Sequence, residues 1–201
     1  MDAPTDERLL QEHLHGRTAS FELLVRRYTA ELFQFAQRVT GDSMAAEDVV
    51  QETLLQVHQS GASFDLGRRF KPWLFTIAAN KARDHLRRRN RRKEVSFEAQ
   101  VGNEDEVRQR FIDLFSAAGD LPDDDVTVEE KRRIVRDIVE DMPDKLREVL
   151  VLAYYHHFPY KDVGVILDVP LGTVKSRLHA AVVWFGERYR QNVTEKAKEG
   201  S

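Results

Sequence analysis

The segment YKDVGVILDVPLGTVKSRLHAAVVW, residues Tyr160–Trp184, has the spacing of a helix-turn-helix. A first short helix would bury one apolar face formed by Val163, Ile166 and Leu167. Asp168 stands at the turn, where the chain needs a residue that tolerates left-handed backbone geometry. Pro170 suits the start of a second helix, because its missing N–H is not needed in the first turn. The segment therefore predicts two helices joined by a tight turn.

The second of these helices has an apolar side and a polar side. Val174 and Leu178 would face the core, which leaves five polar side chains to enter a DNA major groove: Thr173, Lys175, Ser176, Arg177 and His179. Arg and Lys recognise the edge of guanine, and hydroxyl groups contact phosphates. An ordinary helical hairpin has the same apolar spacing, so this segment alone leaves DNA binding and simple packing both open.

Two amphipathic helices are predicted far upstream of this motif. Apolar residues recur every three or four positions from Phe21 to Val39, Gly41 predicts the end of that helix, and Asp42 or Ser43 can cap the next. The second helix would bury Val49, Val50, Thr53, Leu54 and Val57. Its outer face carries Glu47, Asp48, Gln51 and Glu52. Residues 42–58 contain four acidic residues and no Lys or Arg, so this face is anionic.

A third helix is predicted to begin near Pro72, after a glycine-containing loop at residues 59–71. Its core side consists of Trp73, Leu74, Ile77, Ala78, Ala82, His85 and Leu86. The opposite stripe holds Thr76, Asn80, Arg83 and Arg87, at spacings of four, three and four. We interpret Trp73 and Phe75 as packing residues rather than DNA contacts. The third helix thus pairs a core face with a polar face that ends in cations.

Charge reverses along the chain although the total is only −3. Residues 67–93 contain eleven basic residues and one acid, a segment charge of +10, whereas residues 94–144 contain sixteen acids and six bases, a charge of −10. Residues 97–128 include Gly102, Gly119, Pro122 and an Asp123–Asp125 run, and we interpret them as a linker with a short helix near residues 107–115. Apolar stripes resume at Ile134–Val139 and, after Pro143, at Leu146–Ala153.

These patterns predict an all-α protein of two small helical domains joined by a flexible acidic linker. The predicted boundaries are 1–95 for the first domain, 96–128 for the linker, 129–190 for the helix-turn-helix domain and 191–201 for a polar tail that frays. We find no internal repeat and no strand of convincing alternation.

The sequence argues against several classes of function. The chain has no cysteine, which excludes disulfides and thiolate catalysis. The histidine pairs His13/His15 and His156–His157 lack ligand spacing for a metal, and no phosphate-binding glycine motif or nucleophile–base pair is present. We therefore predict no enzyme activity, no metal and no cofactor. An acidic N-terminus and the lack of a long apolar run predict a cytoplasmic protein without a membrane span.

Three strings in this order resemble extracytoplasmic-function (ECF) sigma factors, group IV of the primary sigma factor family. They are AAEDVVQETLLQVH (residues 45–58), FKPWLFTIAANKARDHLRRRNRR (residues 70–92) and LREVLVLAYYHHFPYKDVGVILDVPLGTVKSRLH (residues 146–179), and they look like conserved regions two and four of that family. The resemblance covers residues 21–92 and 129–189. It implies a transcription initiation factor whose partners are core RNA polymerase, promoter DNA and an anti-sigma factor.

The resemblance also assigns roles to residues. Polymerase would be bound by Glu47, Asp48, Gln51 and Glu52. The minus-ten element, as melted single strand, would be bound by Phe64, Phe70, Thr76, Asn80, Lys81, Arg83, Arg87 and Arg88. The minus-thirty-five element, as duplex, would be bound by Thr173, Lys175, Ser176, Arg177 and His179. Phe64 and Phe70 lie in or beside the loop that, in the family, receives a flipped-out base. A basic helix beside aromatic residues suits a single strand on physical grounds too, because phosphates attract cations and unstacked bases need flat partners.

One departure from the family pattern follows His179. Family members commonly continue with basic residues there, whereas this chain continues with the apolar segment Ala180–Phe185. We expect this helix end to pack on another helix of its own domain, or on an inhibitory partner.

Two other functions compete with the sigma-factor hypothesis. A dimeric helix-turn-helix regulator would bind duplex DNA without polymerase, but it leaves the acidic second helix and the basic third helix unexplained. A helical adaptor would contact RNA or another protein through its arginines. Binding to DNA in the absence of polymerase would favour the regulator, and failure to support transcription would favour the adaptor.

Overall fold

The computed structural model describes residues 3–89 and 128–199. Within these ranges the chain is helical and has no strand, as the sequence predicted. The described residues form two compact units, one containing residues 3–89 and 161–168 and the other containing 128–160 and 169–199. The predicted linker, including its acidic run and its short helix, lies outside the described residues. The predicted domain boundaries stay a prediction.

Residues 3–89 of the first unit form four helices, α1 (Asp6–Leu14), α2 (Thr18–Thr40), α3 (Ser43–Ser60) and α4 (Phe70–Arg89), with a 3₁₀ turn at Gly61–Ser63. The predicted stripe of α2 is its buried side, formed by Leu24, Tyr28, Leu32, Phe35, Ala36 and Val39. Helix α2 packs on α1, α3 and α4. Phe35 and Phe75 meet edge to face at the centre of this packing, with ring centroids 5.4 Å apart.

The junction between α2 and α3 follows the local signals. Gly41 adopts a left-handed conformation with φ 68°, and its N–H donates to the carbonyl of Gln37 at 2.8 Å. Asp42 then caps α3, because its Oδ1 accepts from the N–H groups of Met44 and Ala45 at 2.8 and 3.1 Å. Of the two predicted caps, the structure therefore selects Asp42.

Helix α4 begins at Phe70, two residues before the predicted start at Pro72. Proline is tolerated in the first turn of a helix, where its N–H would have no intrahelical partner. The earlier start is possible because the Phe70 N–H donates to the carboxylate of Glu7 at 2.8 Å, a contact that no local pattern shows.

Helix α1 was missed by the sequence analysis. It is nine residues long and buries only Leu9 and Leu10, too few apolar positions to form a stripe. The signal that was present lies at its start, where Thr5 caps the helix by accepting from the Arg8 N–H at 3.3 Å and where Asp6 and Glu7 fill the first turn.

A histidine pair joins α1 to α3. His13 Nε2 lies 3.1 Å from His58 Nδ1, and the His13 ring stacks on Phe21 with centroids 4.6 Å apart. One of these two nitrogens must donate and the other accept, so the pair requires at least one neutral ring. Burial, with the charge of His58 as a smaller cause, lowers the pKa of His13 from its ordinary 6.5.

We expect acidification to weaken the first unit through His13. The unfolded chain binds this proton more readily than the folded chain, so the contribution of His13 is complete above about pH 6.5 and declines as the pH falls towards the lowered pKa. Urea unfolding of the full chain at pH 7.5 and 5.5 should show a smaller loss of stability for His13→Asn than for wild type. His15→Asn is the matched control and should behave as wild type. Equal losses in all three proteins would contradict the prediction.

The second unit contains α5 (Val128–Asp141), α6 (Asp144–Leu150), a π-helical turn (Val151–Tyr155) and α8 (Leu171–Glu199). Pro143 precedes α6, as its position in the sequence predicted. Helix α8 packs on α5 and α6. Its buried residues recur along one face: Val174, Leu178, Ala181, Val182, Phe185 and Tyr189. The tail after Arg190, predicted to fray, is helical as far as Glu199.

The apolar segment after His179 therefore packs within its own unit. Ala181, Val182 and Phe185 are buried, whereas Val183 is 41% exposed. Of the two explanations offered for this segment, the structure supports packing on a neighbouring helix.

Among the described helices, none is apolar over a length that would cross a bilayer.

A buried arginine joins α5 to α6. The side chain of Arg147 is 3% exposed and donates to the carbonyl of Glu140 and to the carboxylate of Asp144. This role of Arg147 could not be predicted from the sequence, because a single arginine between apolar residues resembles an exposed position until the tertiary contacts are known.

Helix α7 (Tyr160–Leu167) is short and buries Val163, Ile166 and Leu167, as predicted. Asp168 follows it with φ 54°, the left-handed geometry expected at the turn. The Pro170 carbonyl then accepts from the N–H groups of Thr173 and Val174 at 2.9 and 3.1 Å, which begins α8. The helix, turn and helix thus occur along the chain where the motif predicted them.

Candidate nucleic-acid and protein interfaces

The outer face of α3 is the anionic face predicted from sequence. Glu47, Asp48 and Gln51 are exposed. Glu52 is half-buried, because its Oε2 lies 3.5 Å from Lys81 Nζ and its Oε1 lies 3.9 Å from His85 Nε2 on α4. Three of the four predicted polymerase contacts are thus freely presented to solvent, and the fourth also links α3 to α4.

Two apolar side chains extend this face at both ends. Met44 is 78% exposed and Leu55 is 56% exposed. With Asp48 and Gln51 they form one stripe, at spacings of four, three and four. Exposed apolar groups beside charges are typical of a surface that is covered by a protein partner. The sequence analysis listed only the polar members, although the helical spacing of Met44 and Leu55 was visible.

The polar face of α4 presents the predicted cationic side chains. Asn80, Arg87 and Arg88 are exposed, and Thr76, Lys81 and Arg83 are half-buried. Arg83 Nη1 donates to Asn80 Oδ1 at 3.3 Å, so the two side chains order each other. Arg87 lies 3.5 Å from Asp84, an exposed contact that contributes at most about 1 kcal/mol. A phosphate of a nucleic-acid strand can therefore replace Asp84 as the partner of Arg87.

The arginine run at the end of α4 is not uniform. Arg89 Nη1 donates to the Thr40 carbonyl at 2.7 Å and so satisfies the C-terminus of α2. Arg89 has a structural role that its neighbours Arg87 and Arg88 do not share in the hydrogen bonds described. The nucleic-acid contacts predicted on α4 end at Arg88, and that assignment stays a prediction.

Phe64 and Phe70 are buried beneath the loop that joins α3 to α4. They are 7% and 1% exposed. Their ring centroids lie 5.9 Å apart, and Trp73 lies 4.8 Å from Phe64 and 5.8 Å from Phe70. Neither ring presents an open face to a base in this structure. Direct base stacking by Phe64 or Phe70 stays a prediction, and the described contacts give both rings a packing role.

The exposed part of this loop is Asp65–Arg69. Asp65 Oδ1 accepts from the Gly67 N–H at 2.9 Å, and the Asp65 carbonyl accepts from the Arg68 N–H at 2.9 Å. This turn projects one apolar side chain, Leu66, which is 44% exposed, together with exposed cationic Arg68 and Arg69. At this loop the buried Phe64 and Phe70 were predicted as DNA contacts, whereas the exposed Leu66, Arg68 and Arg69 were not.

The predicted recognition residues lie on the first turns of α8. Thr173, Lys175, Ser176, Arg177 and His179 are half-buried, whereas Val174 and Leu178 are fully buried. The polar and apolar positions therefore separate as predicted. Ser176 Oγ donates to the Thr173 carbonyl at 3.1 Å. Its lone pairs remain available to accept a hydrogen bond, although its proton is engaged.

The described parts of the chain contain no candidate metal-binding cluster. Residues 3–89 and 128–199 contain no group of three or more His, Asp or Glu side chains that could hold an ion.

Comparison with known proteins matches both halves of the chain to one family. The model of Sigma-70 region 2 matches residues 24–92, and the model of Sigma-70 region 4 matches residues 132–184. The ECF RNA polymerase sigma factor SigW of Bacillus subtilis is 31% identical over 164 residues, which cover 82% of this chain and 86% of SigW. The ECF RNA polymerase sigma-E factor of Haemophilus influenzae is 30% identical over 178 residues, covering 88% and 91% respectively.

A solved structure has the same fold. The sigma factor RpoE of Bartonella quintana, crystallised with the anti-sigma factor NepR, superposes with a TM-score of 0.61 at 24% identity and covers 85% of this chain and 96% of RpoE. Two matched sigma regions in order, on a chain that is helical in the residues the structure describes, define a transcription initiation factor of the sigma-70 type. The chain belongs to the family of ECF RNA polymerase sigma factors, which direct core RNA polymerase to promoters.

Proposed function

We propose a division of labour among three helices of this sigma factor. The acidic face of α3 binds core RNA polymerase, through Glu47, Asp48, Gln51 and Glu52. The loop before α4 and the polar face of α4 bind and melt the minus-ten element. The first turns of α8 recognise the minus-thirty-five element in duplex DNA. These roles correspond to a region-two domain at residues 1–95 and a region-four domain at 129–190.

The observation that carries this proposal is the separation of charge between α3 and α4. Exposed carboxylates occupy one helix and exposed cations occupy the next, within one compact unit. Carboxylates repel DNA phosphates, so the α3 face suits a cationic protein surface, whereas the α4 face suits a nucleic-acid strand. A single unit can thereby hold polymerase and promoter at once.

The proposal gives the chain no catalytic role and no cofactor, because polymerase supplies the chemistry of transcription. It also places the protein in the cytoplasm, where core polymerase and promoter DNA are found. We further propose that an anti-sigma factor holds the protein inactive. The complex of the similar RpoE with NepR supports this partner class.

Transcription with purified components tests the division of labour. The full chain and core bacterial RNA polymerase are incubated at low salt with a library of duplexes randomised at the minus-thirty-five and minus-ten positions. We expect the two proteins to bind and to transcribe a selected subset, whereas the chain alone retards no duplex. Retardation by the chain alone, without any transcription, would instead identify the helix-turn-helix regulator.

Purification of the tagged chain from its own host tests the inhibitor. Polymerase subunits and a small protein that blocks transcription in the purified reaction are expected to accompany it. Recovery of polymerase with no such inhibitor, from resting as well as stressed cells, would remove the anti-sigma part of the proposal.

A further inference from the structure

Helix α4 has no capping side chain in its own sequence. The residues before Phe70 are Arg68 and Arg69, whose guanidinium groups only donate hydrogen bonds. The first N–H groups of a helix have no intrahelical acceptor. The Phe70 N–H instead donates to Oε1 of Glu7, at 2.8 Å, so the cap comes from a residue sixty-three positions earlier. A carboxylate is favourable at this helix end, which carries partial positive charge.

Glu7 is carried by a firmly docked helix. Its neighbour Asp6 accepts from the Tyr28 hydroxyl and pairs with Arg27 on α2. The middle of α1 is anchored by two adjacent buried side chains, Leu9 and Leu10, which are 1% and 0% exposed. The carboxylate of Glu7 is thus fixed in place by contacts on both sides of it along α1, rather than held at the end of a free segment.

Helix α1 also touches the other end of the same loop. Leu10 Cδ1 lies 3.1 Å from the position that a Cβ on Gly61 would take. Gly61 begins the 3₁₀ turn that follows α3, and Phe70 begins α4. One short helix therefore contacts both ends of residues 61–70, and the exposed turn Asp65–Arg69 lies between the two contacts.

Phe70 connects the cap to the packing beneath the loop. Its ring centroid lies 5.7 Å from that of Tyr28, 5.9 Å from that of Phe64 and 5.8 Å from that of Trp73. A shift of the Phe70 backbone would move its ring within a close-packed cluster, and close packing transmits such a shift to its neighbours. Phe64 directly precedes the exposed turn, so the turn would move as well.

We propose that Glu7 is a positioning residue for minus-ten recognition: by capping α4 at Phe70, it sets the separation of the loop ends that α1 contacts. In this proposal Glu7 acts through the loop, and it lies before the segment that matches Sigma-70 region 2. This inference rests on the proposed role of the loop in binding the minus-ten element.

The test compares Glu7→Ala with wild type as full chains bound to core polymerase, on a promoter that the wild-type protein selects from the randomised library. Loss of a helix cap corresponds to about fivefold to tenfold in an equilibrium. We expect that much less open complex, measured by the fluorescence of 2-aminopurine in the minus-ten element, and weaker discrimination against minus-ten substitutions. Polymerase affinity and discrimination at minus-thirty-five should be unchanged. Glu7→Gln should restore melting, because its amide oxygen still accepts.

A matched control separates positioning from general stability. Glu12→Ala removes a carboxylate from the same helix, where it accepts from Ser20 Oγ at 2.7 Å and makes no contact with the loop among the described hydrogen bonds. It should lower stability without altering minus-ten discrimination. Amide hydrogen exchange at Phe70 should accelerate in Glu7→Ala and remain slow in Glu12→Ala.

Three outcomes would overturn the inference. If Glu7→Ala melts the promoter as well as wild type does, Glu7 has no positioning role. The same conclusion holds if Glu12→Ala loses as much promoter melting as Glu7→Ala. If amide hydrogen exchange at Phe70 is the same in Glu7→Ala as in wild type, Glu7 does not cap α4. If the wild-type protein binds polymerase but melts no promoter, the proposed function of the loop is wrong, and the proposed role of Glu7 is wrong with it. This outcome is seen in the wild-type reaction, without the variants.

Discussion

Asp48→Arg is expected to lower the affinity for core RNA polymerase by at least about thirtyfold, or about 2 kcal/mol. Asp48 is exposed on α3, at the centre of the stripe bounded by Met44 and Leu55. Reversing its charge places a cation opposite the cationic surface that an acidic helix face selects. The free energy of unfolding should stay within about 0.5 kcal/mol of wild type, because the side chain is at the surface. Binding is measured by fluorescence anisotropy of the labelled chain at several salt concentrations.

Glu22→Arg provides the matched control for charge. Glu22 is an exposed acid on α2, so the substitution changes the net charge equally outside the proposed interface. Its polymerase affinity should equal that of wild type. If Asp48→Arg and Glu22→Arg weaken binding by the same factor, long-range charge explains the effect, and the α3 face is not the docking surface.

Glu52 is a less suitable position for the same test. Its carboxylate lies between Lys81 and His85, so Glu52→Arg would bring three basic side chains together between α3 and α4. A loss of binding would then combine a lost contact with a disturbed packing of the unit. The sequence analysis treated Asp48 and Glu52 as equivalent, and only the structure separates them.

The parts of the fold that were predicted depend on contacts between neighbours in sequence. The α2 stripe, the left-handed Gly41 and Asp168, and the Asp42 cap each follow from spacing or from one residue type. Such features are local because a helix repeats every 3.6 residues and a turn spans four. The order of α2 to α8 could therefore be predicted from residues alone, whereas α1 and the extension of α8 to Glu199 were not predicted.

The parts that were missed depend on contacts between residues distant in sequence. Glu7 caps α4 at Phe70 and Arg89 donates to the Thr40 carbonyl, and neither contact follows from a periodic pattern. For Phe64 and Phe70, the family resemblance implies a place in or beside the loop that receives a flipped-out base, and this role stays a prediction although both rings are buried in this structure. An aromatic ring can stack on a base or pack in the protein core, and the sequence contains no signal that decides between these two roles.

Arg177→Ala is expected to remove promoter choice while leaving polymerase binding intact. Arg177 lies on the polar side of the first turns of α8, between the buried Val174 and Leu178. Loss of a bidentate contact from arginine to guanine costs about 1–3 kcal/mol and relaxes specificity at one base pair. Transcription from the selected promoter should fall by about tenfold or more, and substitutions at one minus-thirty-five position should cease to matter. The measurement is transcription from duplexes substituted at each minus-thirty-five position in turn.

Arg190→Ala separates base recognition from general electrostatic attraction. Arg190 lies on the same helix, beyond the segment that matches Sigma-70 region 4, and its Nε donates to the Gly186 carbonyl at 3.1 Å. A contact to phosphate weakens binding on all sequences alike, whereas a base contact matters at one position. Arg190→Ala should therefore preserve the sequence preference of wild type. Wild-type preference in Arg177→Ala would show that another residue recognises the minus-thirty-five element, and the assignment of these α8 turns as the recognition surface would then be wrong.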